Sequence, residues 1–191
     1  MKNKTPPSKA IFLDRDGTLI VDKVYLNDPE QIEYLPGVFS ALRELRDAGF
    51  IFLIVTNQSG IARGLVSIDN LNEIHRRIRY AFSENGVDLQ EFYYAPYPTD
   101  SEHPMRKPNP GMILQGAKDY NVDLSQSWMI GDRMIDVEAG HRAGVKTIMV
   151  GPREKASDFP KLKPPTGVFP NIIDAVPFIL AQSGLKSMGE K

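Results

Sequence analysis

The chain has 191 residues, 41% of them hydrophobic and 25% charged, with a net charge of −1 and no cysteine. This composition predicts one globular domain with a sizeable core, gives no electrostatic reason to expect a nucleic-acid or acidic-membrane partner, and excludes disulfides and cysteine-ligated metal sites. No apolar run approaches the ~20 residues of a membrane span, and residues 1–9 hold no signal-peptide core. We therefore expect a cytoplasmic protein.

Strand and helix patterns alternate along the chain. Apolar runs predict strands over 9–13, 50–55, 91–95, 127–130, 146–150 and 168–169. Helical spacing predicts helices over 38–48, 67–82, 111–120, 137–143 and 173–182, the last with Pro177 tolerable only in its first turn. The alternation predicts an α/β, Rossmann-like, mostly parallel sheet with helices on both faces and no large cap domain. We expect one domain over 9–183, with flexible tails over 1–8 and 184–191.

Three further features of the chain carry predictions. Gly60 and Gly64 bound a loop that is predicted to be mobile. Residues 151–167 are rich in proline and lysine and are predicted to be a surface excursion. His75 lies within the helix over 67–82, where a lone histidine is more often a surface or packing residue than a ligand, and we predict that role for it.

The first strand runs directly into two acids. The apolar residues 10–13 are followed by Asp14 and Asp16, and Gly17 then suits a sharp turn. The carboxyl end of a buried strand is where an open α/β sheet binds its ligands. Two carboxylates so close together favour a bound cation, and a hard divalent ion prefers oxygen ligands. The alternative is a solvated turn, since Asp and Gly are ordinary turn residues.

Polar residues follow other predicted strands at the same edge. Thr56 and Asn57 follow the second strand, Asp132 and Asp136 follow the fourth, and Lys107 lies in a proline-rich loop from that edge. Such carboxylates can hold Mg²⁺, and the lysine and hydroxyl can stabilise a phosphoryl group. One carboxylate can attack phosphorus while another moves protons. Each of these residues alone is explained equally well by a turn, a helix cap or a solvated charge. For all of them to lie at one edge of the sheet for such reasons would need several coincidences.

Four motifs occur in order over about residues 10–150: D-x-D-G-T, a strand-end Thr, a Lys before Pro, and G-D-x-x-x-D. On these motifs the chain resembles the haloacid-dehalogenase (HAD) superfamily of phosphotransferases. The runs at 14–22, 56–64 and 106–112 resemble the branch that holds D-glycero-D-manno-heptose 1,7-bisphosphate phosphatase and histidinol-phosphate phosphatase. The run at 59–64 is more similar to the heptose enzymes.

The resemblance implies an Mg²⁺-dependent phosphomonoesterase of carbohydrate metabolism that acts as a monomer through an aspartyl-phosphate. It implies that Asp14 is the nucleophile and a metal ligand, and that Asp16 is the general acid/base and offers its backbone carbonyl to the metal. Thr56 and Lys107 would stabilise the phosphoryl group, and Asp132 would complete the metal site. Asp136 would bind or support the metal. The residues implied to contact a small-molecule phosphate ester are Arg15, Asp22, Tyr25, Asn57, Gln58, Ser59, Arg63, Arg106 and Arg133.

One loop departs from the family pattern. Family members often bind a structural zinc before the Arg-Lys-Pro run through three Cys and a His, but Ala95, Tyr97, His103 and Met105 fill those places here. A lone imidazole cannot make a four-ligand site, so we expect no zinc and predict that His103 is a loop residue. The change leaves the catalytic residues intact and leaves the substrate open.

Other activities remain open at this point. The substrate could be a heptose bisphosphate, histidinol phosphate or another small sugar phosphate. A non-enzymatic switch protein phosphorylated on Asp14 would keep a long-lived acyl phosphate, and Asp16 argues against it because a nearby acid/base speeds hydrolysis. A phosphotransferase or mutase would use the same chemistry with another acceptor, but a site without a cap domain is open to water.

Overall fold

Residues 6–185 are described by the computed structural model, so residues 1–5 and 186–191 of the predicted tails lie outside the described part. The strands are β1 (Lys9–Leu13), β2 (Phe50–Asn57), β3 (Leu89–Ala95), β4 (Trp128–Gly131), β5 (Lys146–Val150) and β6 (Gly167–Phe169). The helices are α1 (Val38–Asp47), α2 (Ser59–Ala62), α3 (Ile68–Glu84), α4 (Gly111–Asp119), α5 (Met134–Ala143) and α6 (Ile172–Gln182). Short 3₁₀ turns span Pro29–Gln31, Leu124–Gln126 and Ala156–Asp158.

The six strands form one sheet in the order β3-β2-β1-β4-β5-β6, and every neighbouring pair is parallel. Central β1 is buried on both faces, as its unbroken apolar run predicts. Ile11 and Leu13 pack in one core with residues of α1, α3 and α6, whereas Ala10 and Phe12 pack in another with residues of α4 and α5. Each large side chain buried in this way stabilises the fold by roughly 1.5–3 kcal/mol. The predicted α/β sheet with helices on both faces is therefore confirmed.

Two boundaries near the active edge differ from the predictions. β2 continues two residues beyond its predicted end, because Thr56 and Asn57 pair with Tyr94 and Ala95 of β3. The segment Ser59–Ala62 forms the short helix α2 where a mobile loop is predicted. Both differences depend on contacts with neighbouring elements, which local sequence patterns do not encode.

The prediction for Pro177 is wrong. α6 begins at Ile172, so Pro177 lies in its second turn and cannot donate a hydrogen bond to the carbonyl of Ile173. A proline inside a helix costs about 3 kcal/mol. The burial of Val176 and Ile179 on the same helix offsets this cost.

The carboxyl ends of β1, β2, β4 and β5 meet at one edge of the sheet. The N–H of Asp14 donates to the carbonyl of Ile130 at 2.9 Å, which fixes the end of β1 beside β4. Along residues 6–185, no inserted domain interrupts the alternation of strands and helices. Within the same range, every helix is too short or too polar to cross a bilayer.

Candidate active site

A cavity of about 330 Å³ opens at this edge of the sheet. It is lined by most of the residues that the sequence singles out. These are Asp14, Asp16, Asp22, Tyr25, Thr56, Asn57, Gln58, Ser59, Arg106, Lys107, Asp132, Arg133 and Asp136. The predicted convergence of separate strand ends is thus present in the fold.

Lys107 joins two carboxylates at the floor of the cavity. Its Nζ lies 2.6 Å from Oδ1 of Asp14 and 2.6 Å from Oδ1 of Asp136, and all three residues are buried. Burial lowers the pKa of Lys107, but the carboxylates of Asp136 and Asp14 more than offset this and raise its pKa above the ordinary value. Lys107 therefore stays charged and can stabilise anionic oxygens beside Asp14.

Three buried carboxylates share this floor. Asp14, Asp132 and Asp136 each offer an oxygen, and these oxygens lie within 4.8 Å of one another. Burial, then the charges of Asp14 and Asp136, raise the pKa of Asp132 to about 7. Burial likewise raises the pKa of Asp14, although Lys107 opposes it. So much negative charge in a buried place favours a bound cation.

The donor atoms fit a magnesium ion. Oδ2 of Asp132 and Oδ1 of Asp136 accept no well-directed hydrogen bond, although Arg153 and Lys107 reach them as ion-pair contacts. Oxygen donors of this kind are the ligands that Mg²⁺ prefers. Gly17 adopts a φ of +81°, and a Cβ there would lie 2.2 Å from Oδ2 of Asp132, so only glycine allows the D-x-D turn to approach this carboxylate.

Asp16 has different neighbours. Nη2 of Arg15 lies 2.8 Å from Oδ2 and 3.0 Å from Oδ1 of Asp16, and Nε lies 3.1 Å from Oδ2. Nε2 of Gln58 donates to Oδ2 at 3.0 Å. Burial raises the pKa of Asp16 although Arg15 opposes it. A carboxyl with a raised pKa suits a group that gives and takes protons near neutral pH.

Thr56 and Asn57 connect the end of β2 to the other site residues. Oγ1 of Thr56 accepts a hydrogen bond from Nε2 of Gln58 at 2.9 Å. The side chain of Asn57 donates to the carbonyl of Lys107 at 3.0 Å and accepts from its N–H at 3.1 Å. This pair of bonds fixes the loop that carries Lys107, so Asn57 is a positioning residue as well as a cavity residue.

Arg15 and Arg63 do not line the cavity. Arg15, which is predicted to contact substrate, is 1% exposed and its guanidinium is paired with Asp16. Arg63 lies at the rim, where its guanidinium is 5.8 Å from the ring centre of Tyr25 and donates to Oγ1 of Thr99 at 3.1 Å. Tyr25 and Thr99 both line the cavity, so Arg63 reaches it only through them.

Arg153 is a cavity residue that the sequence reasoning missed. Its Nη1 lies 2.6 Å from Oδ2 of Asp22, and its Nε lies 3.0 Å from Oδ2 of Asp132. It comes from the segment predicted to be a surface excursion. Because that segment follows β5, whose carboxyl end shares the active edge, the strand-end rule applied to Val150 could have found it.

Arg133 and Arg106 add positive charge to the cavity wall. Arg133 pairs with Glu154 at 3.1 Å, and its N–H donates to Asp136 at 3.1 Å at the start of α5. Nη1 of Arg106 donates to the carbonyl of Tyr97 at 3.4 Å. Burial lowers the pKa of Arg106, and Arg133 acts in the same direction. Both guanidinium groups line the cavity that also holds Asp14.

The loop that departs from the family pattern is held by a ring stack and hydrogen bonds. His103 stacks on Tyr97 with ring centres 3.7 Å apart, and its Nδ1 accepts from the N–H of Met105 at 3.1 Å. The side chain of Asn109 donates to the carbonyls of Glu102 and His103 at 3.0 and 3.2 Å. These contacts fix the position of His103 in the loop.

Comparisons with known proteins agree with this geometry. The HAD-hydrolase-like family profile matches residues 104–175. The chain is 37% identical over 178 residues to the D-glycero-beta-D-manno-heptose-1,7-bisphosphate 7-phosphatase of Haemophilus ducreyi, covering 90% of this chain and 98% of the relative. It is 41% identical over 149 residues to the enzyme of the same name from Pasteurella multocida, covering 74% and 81%. The chain belongs to the HAD-like hydrolase family.

A solved structure places it within that family. The D,D-heptose 1,7-bisphosphate phosphatase of B. bronchiseptica, complexed with magnesium and phosphate, is similar to this chain with a TM-score of 0.81 and 30% identity. The match covers 91% of this chain and 99% of that one. This HAD-like protein is a hydrolase of phosphoric monoesters. The predicted superfamily and branch are confirmed.

Proposed function

We propose that this HAD-like hydrolase is an Mg²⁺-dependent phosphatase that removes the 7-phosphate of D-glycero-D-manno-heptose 1,7-bisphosphate through a phosphorylated Asp14. The observation that carries the proposal is the shared cavity of Asp14, Lys107 and Asp132, with Asp16 beside them. The similarity to heptose-bisphosphate phosphatases along 90% of the chain supports the substrate.

The first step transfers the phosphoryl group to Asp14. A carboxylate oxygen of Asp14 forms a bond to phosphorus while the bond from phosphorus to the sugar oxygen breaks. Lys107 and the hydroxyl of Thr56 bind the phosphoryl oxygens, because both face the same cavity and Lys107 already touches Asp14. Positive charge fixed in place before the reaction stabilises the transition state without reorganisation.

Asp16 moves the protons in both steps. As a carboxylic acid it protonates the departing sugar oxygen, and as the resulting carboxylate it takes a proton from the water that attacks the phosphorylated Asp14. Hydrolysis releases inorganic phosphate and restores both acids. Burial raises the pKa of Asp16, which favours the protonated form that the first step requires.

Asp14, Asp132 and the backbone carbonyl of Asp16 would hold Mg²⁺, with Asp136 as a further ligand or a support. When bound, the ion neutralises negative charge on the transferring phosphoryl group. The clustered carboxylate oxygens supply the donor set, and Lys107 supplies the balancing charge beside Asp14.

The cavity wall supports a substrate with a second anionic group. Arg106, Arg133 and Arg153 line the cavity in addition to Lys107. One phosphoryl group at Asp14 is served by Lys107 and Thr56, so the guanidinium groups can bind another phosphate, for which their planar forks are suited. Asp22 and Tyr25 line the same opening and offer hydrogen-bonding groups to sugar hydroxyls.

A substrate screen tests the proposal. Purified protein with Mg²⁺ is given heptose 1,7-bisphosphate, histidinol phosphate, common sugar phosphates and p-nitrophenyl phosphate, and released phosphate is measured. We expect the highest kcat/KM for the heptose bisphosphate and no turnover by an Asp14→Asn control. A preference for histidinol phosphate would reassign the substrate, and no release from any ester would overturn the proposal.

A further inference from the structure

A buried charge lies directly behind Asp16. Arg15 is 1% exposed, and its guanidinium cannot lose its proton. A buried guanidinium is costly unless its N–H groups are paired. Nε and Nη2 of Arg15 are paired with Asp16, and Nη1 lies 3.1 Å from Nε2 of His75. The other end of the guanidinium therefore depends on a histidine from α3.

His75 is built to accept this hydrogen bond. Because Arg15 can only donate, Nε2 of His75 is the acceptor and its ring proton lies on Nδ1. Burial, then the charges of Arg15 and Arg79, lower the pKa of His75 to about 3, so the imidazole is neutral at working pH. Its ring stacks on Phe92 with centres 4.6 Å apart, which fixes the direction in which Nε2 points.

The contacts to Asp16 distinguish its two oxygens. Among the described residues, Oδ2 receives three donors, from Nε and Nη2 of Arg15 and from Gln58, whereas Oδ1 receives one, Nη2 of Arg15 at 3.0 Å. A carboxylate oxygen has about two lone-pair sites, so Oδ1 keeps the capacity to carry a proton. A forked guanidinium also fixes the plane of the carboxylate that it binds.

We propose that His75 is a positioning residue that orients Arg15, which in turn holds Asp16 with Oδ1 toward the leaving group as the proton-carrying atom. This inference rests on the proposed phosphatase function. It assigns a role in proton transfer to Arg15, which is predicted from the sequence to contact substrate. It assigns another to His75, which is predicted to be a surface or packing residue. Neither His75 nor Arg15 needs to touch the substrate.

The dependence of the reaction on its leaving group tests this role. An alkoxide leaving from a sugar phosphate needs a proton from Asp16, but 2,4-dinitrophenolate leaves without one. For His75→Phe, which keeps the ring stack and removes the acceptor, we expect kcat/KM for the sugar phosphate to fall by roughly 10- to 100-fold. The kcat/KM for 2,4-dinitrophenyl phosphate, which reports only the first transfer, should stay within about threefold, since that step draws little on general-acid catalysis.

Three further variants control the measurement. His75→Gln keeps an acceptor and should restore the sugar-phosphate rate. Arg15→Lys keeps the charge but cannot contact both Asp16 and His75, so it should show the same selective loss of kcat/KM for the sugar phosphate. If His75→Phe does not fold, Arg15→Lys tests the inference in its place. His141→Phe is the matched control, because His141 contacts Thr147 at 3.0 Å and does not line the cavity; it should leave both rates unchanged.

Several outcomes would overturn the inference. These are an equal loss with both esters, no loss with either ester, or an equal loss in His75→Gln and His75→Phe. Wild-type protein that releases phosphate from neither ester would overturn the proposed function itself, and this inference with it.

Discussion

Two regions beside the cavity both contain aspartate carboxylates, but the charges that surround these carboxylates differ. On the metal side, defined by Asp14, Asp132, Asp136 and Lys107, three buried carboxylates lie together and Lys107 pairs with two of them. On the acid–base side, defined by Asp16 with Arg15, Gln58 and His75, one carboxylate is surrounded by donors. Asp14 and Asp16 are separated by a single residue, yet each belongs to a different side.

The difference shows how a short turn separates two chemical roles. The metal side holds three carboxylates against Lys107 and the partly exposed Arg153, and this excess of negative charge favours a further cation. On the acid–base side, the guanidinium of Arg15 and the amide of Gln58 donate hydrogen bonds to the carboxylate of Asp16. These bonds hold the carboxylate in place and leave it free to exchange a proton. Gly17 follows both acids, and its φ of +81° lets the turn that carries them approach Asp132 without a clash.

Of the changes predicted here, the loss of Lys107 from the metal side should reduce activity the most. For Lys107→Met we expect kcat/KM to fall by roughly 10³-fold, because the fixed charge beside Asp14 is lost in a buried site. Phosphate release from the best substrate measures the effect. Lys155→Met is the control, since this exposed lysine is not among the cavity-lining residues. A loss of less than about tenfold in Lys107→Met would contradict the role assigned to Lys107.

The affinity for Mg²⁺ should depend on residues of the metal side and not on those of the acid–base side. Asp132→Asn should weaken Mg²⁺ binding by on the order of 100-fold, because it removes a charged oxygen donor from the cluster. Isothermal titration calorimetry measures the dissociation constant without any turnover. Gln58→Met alters the acid–base side and should leave the affinity within about twofold, since Gln58 supplies no ligand to the cluster. Equal losses in the two variants would show that the sides are not separate.

Acidification should destabilise the acid–base side through His75. The pKa of His75 is about 3 in the fold because of burial and the charges of Arg15 and Arg79, whereas a free histidine has a pKa of about 6.5. Between these values the unfolded chain binds a proton that the folded chain does not. The free energy of unfolding therefore falls as the pH falls, by up to about 1.4 kcal/mol per pH unit from this residue.

Urea unfolding between about pH 7 and pH 4 measures this contribution. His75→Phe lacks the titrating group, so its free energy of unfolding should fall less steeply with acidification than that of the wild type. The difference between the two slopes isolates His75 from the other groups that titrate in this range. Parallel slopes would mean that His75 is not buried as a neutral ring.

The smallest expected effect concerns Arg153, which contacts the metal side from outside. Its Nε competes with a cation for Oδ2 of Asp132 at 3.0 Å. Because its side chain is 46% exposed, the competition is weak. We expect Arg153→Met to tighten Mg²⁺ binding by roughly threefold in calorimetry, with Lys155→Met again as the control. Weaker binding in Arg153→Met would show that Arg153 supports the metal site instead.

The sequence could predict the metal side because its residues follow strand ends. Parallel strands bring their carboxyl ends to one edge, so Asp14, Thr56 and Asp132 are expected to meet there. Lys107 lies on a proline-rich loop that leaves the same edge, and the family resemblance implied its role beside a phosphoryl group. The sheet and its two covered faces follow from the alternation of apolar runs and helical periods.

The acid–base side could not be predicted in the same way. Whether Arg15 points to the substrate or into the core depends on the backbone after Asp14, and its partner His75 comes from α3, sixty residues further along the chain. The orientation of Arg15 is therefore decided by a neighbour that is distant in sequence, and no local period marks it. Arg153 is different, because its segment follows the carboxyl end of β5 and the strand-end rule could have found it.

Trapping the phosphorylated intermediate tests the separation of the two sides most directly. Asp16→Asn leaves the carboxylate of Asp14 in place and removes the carboxyl group that is proposed to activate water. After incubation with Mg²⁺ and 2,4-dinitrophenyl phosphate, whose leaving group needs no proton from Asp16, rapid acid quench and peptide mass spectrometry should find a phosphoryl group on Asp14 that persists far longer than in the wild type and is missing in Asp14→Asn. A phosphoryl group on another residue, or wild-type turnover by Asp16→Asn, would contradict the account.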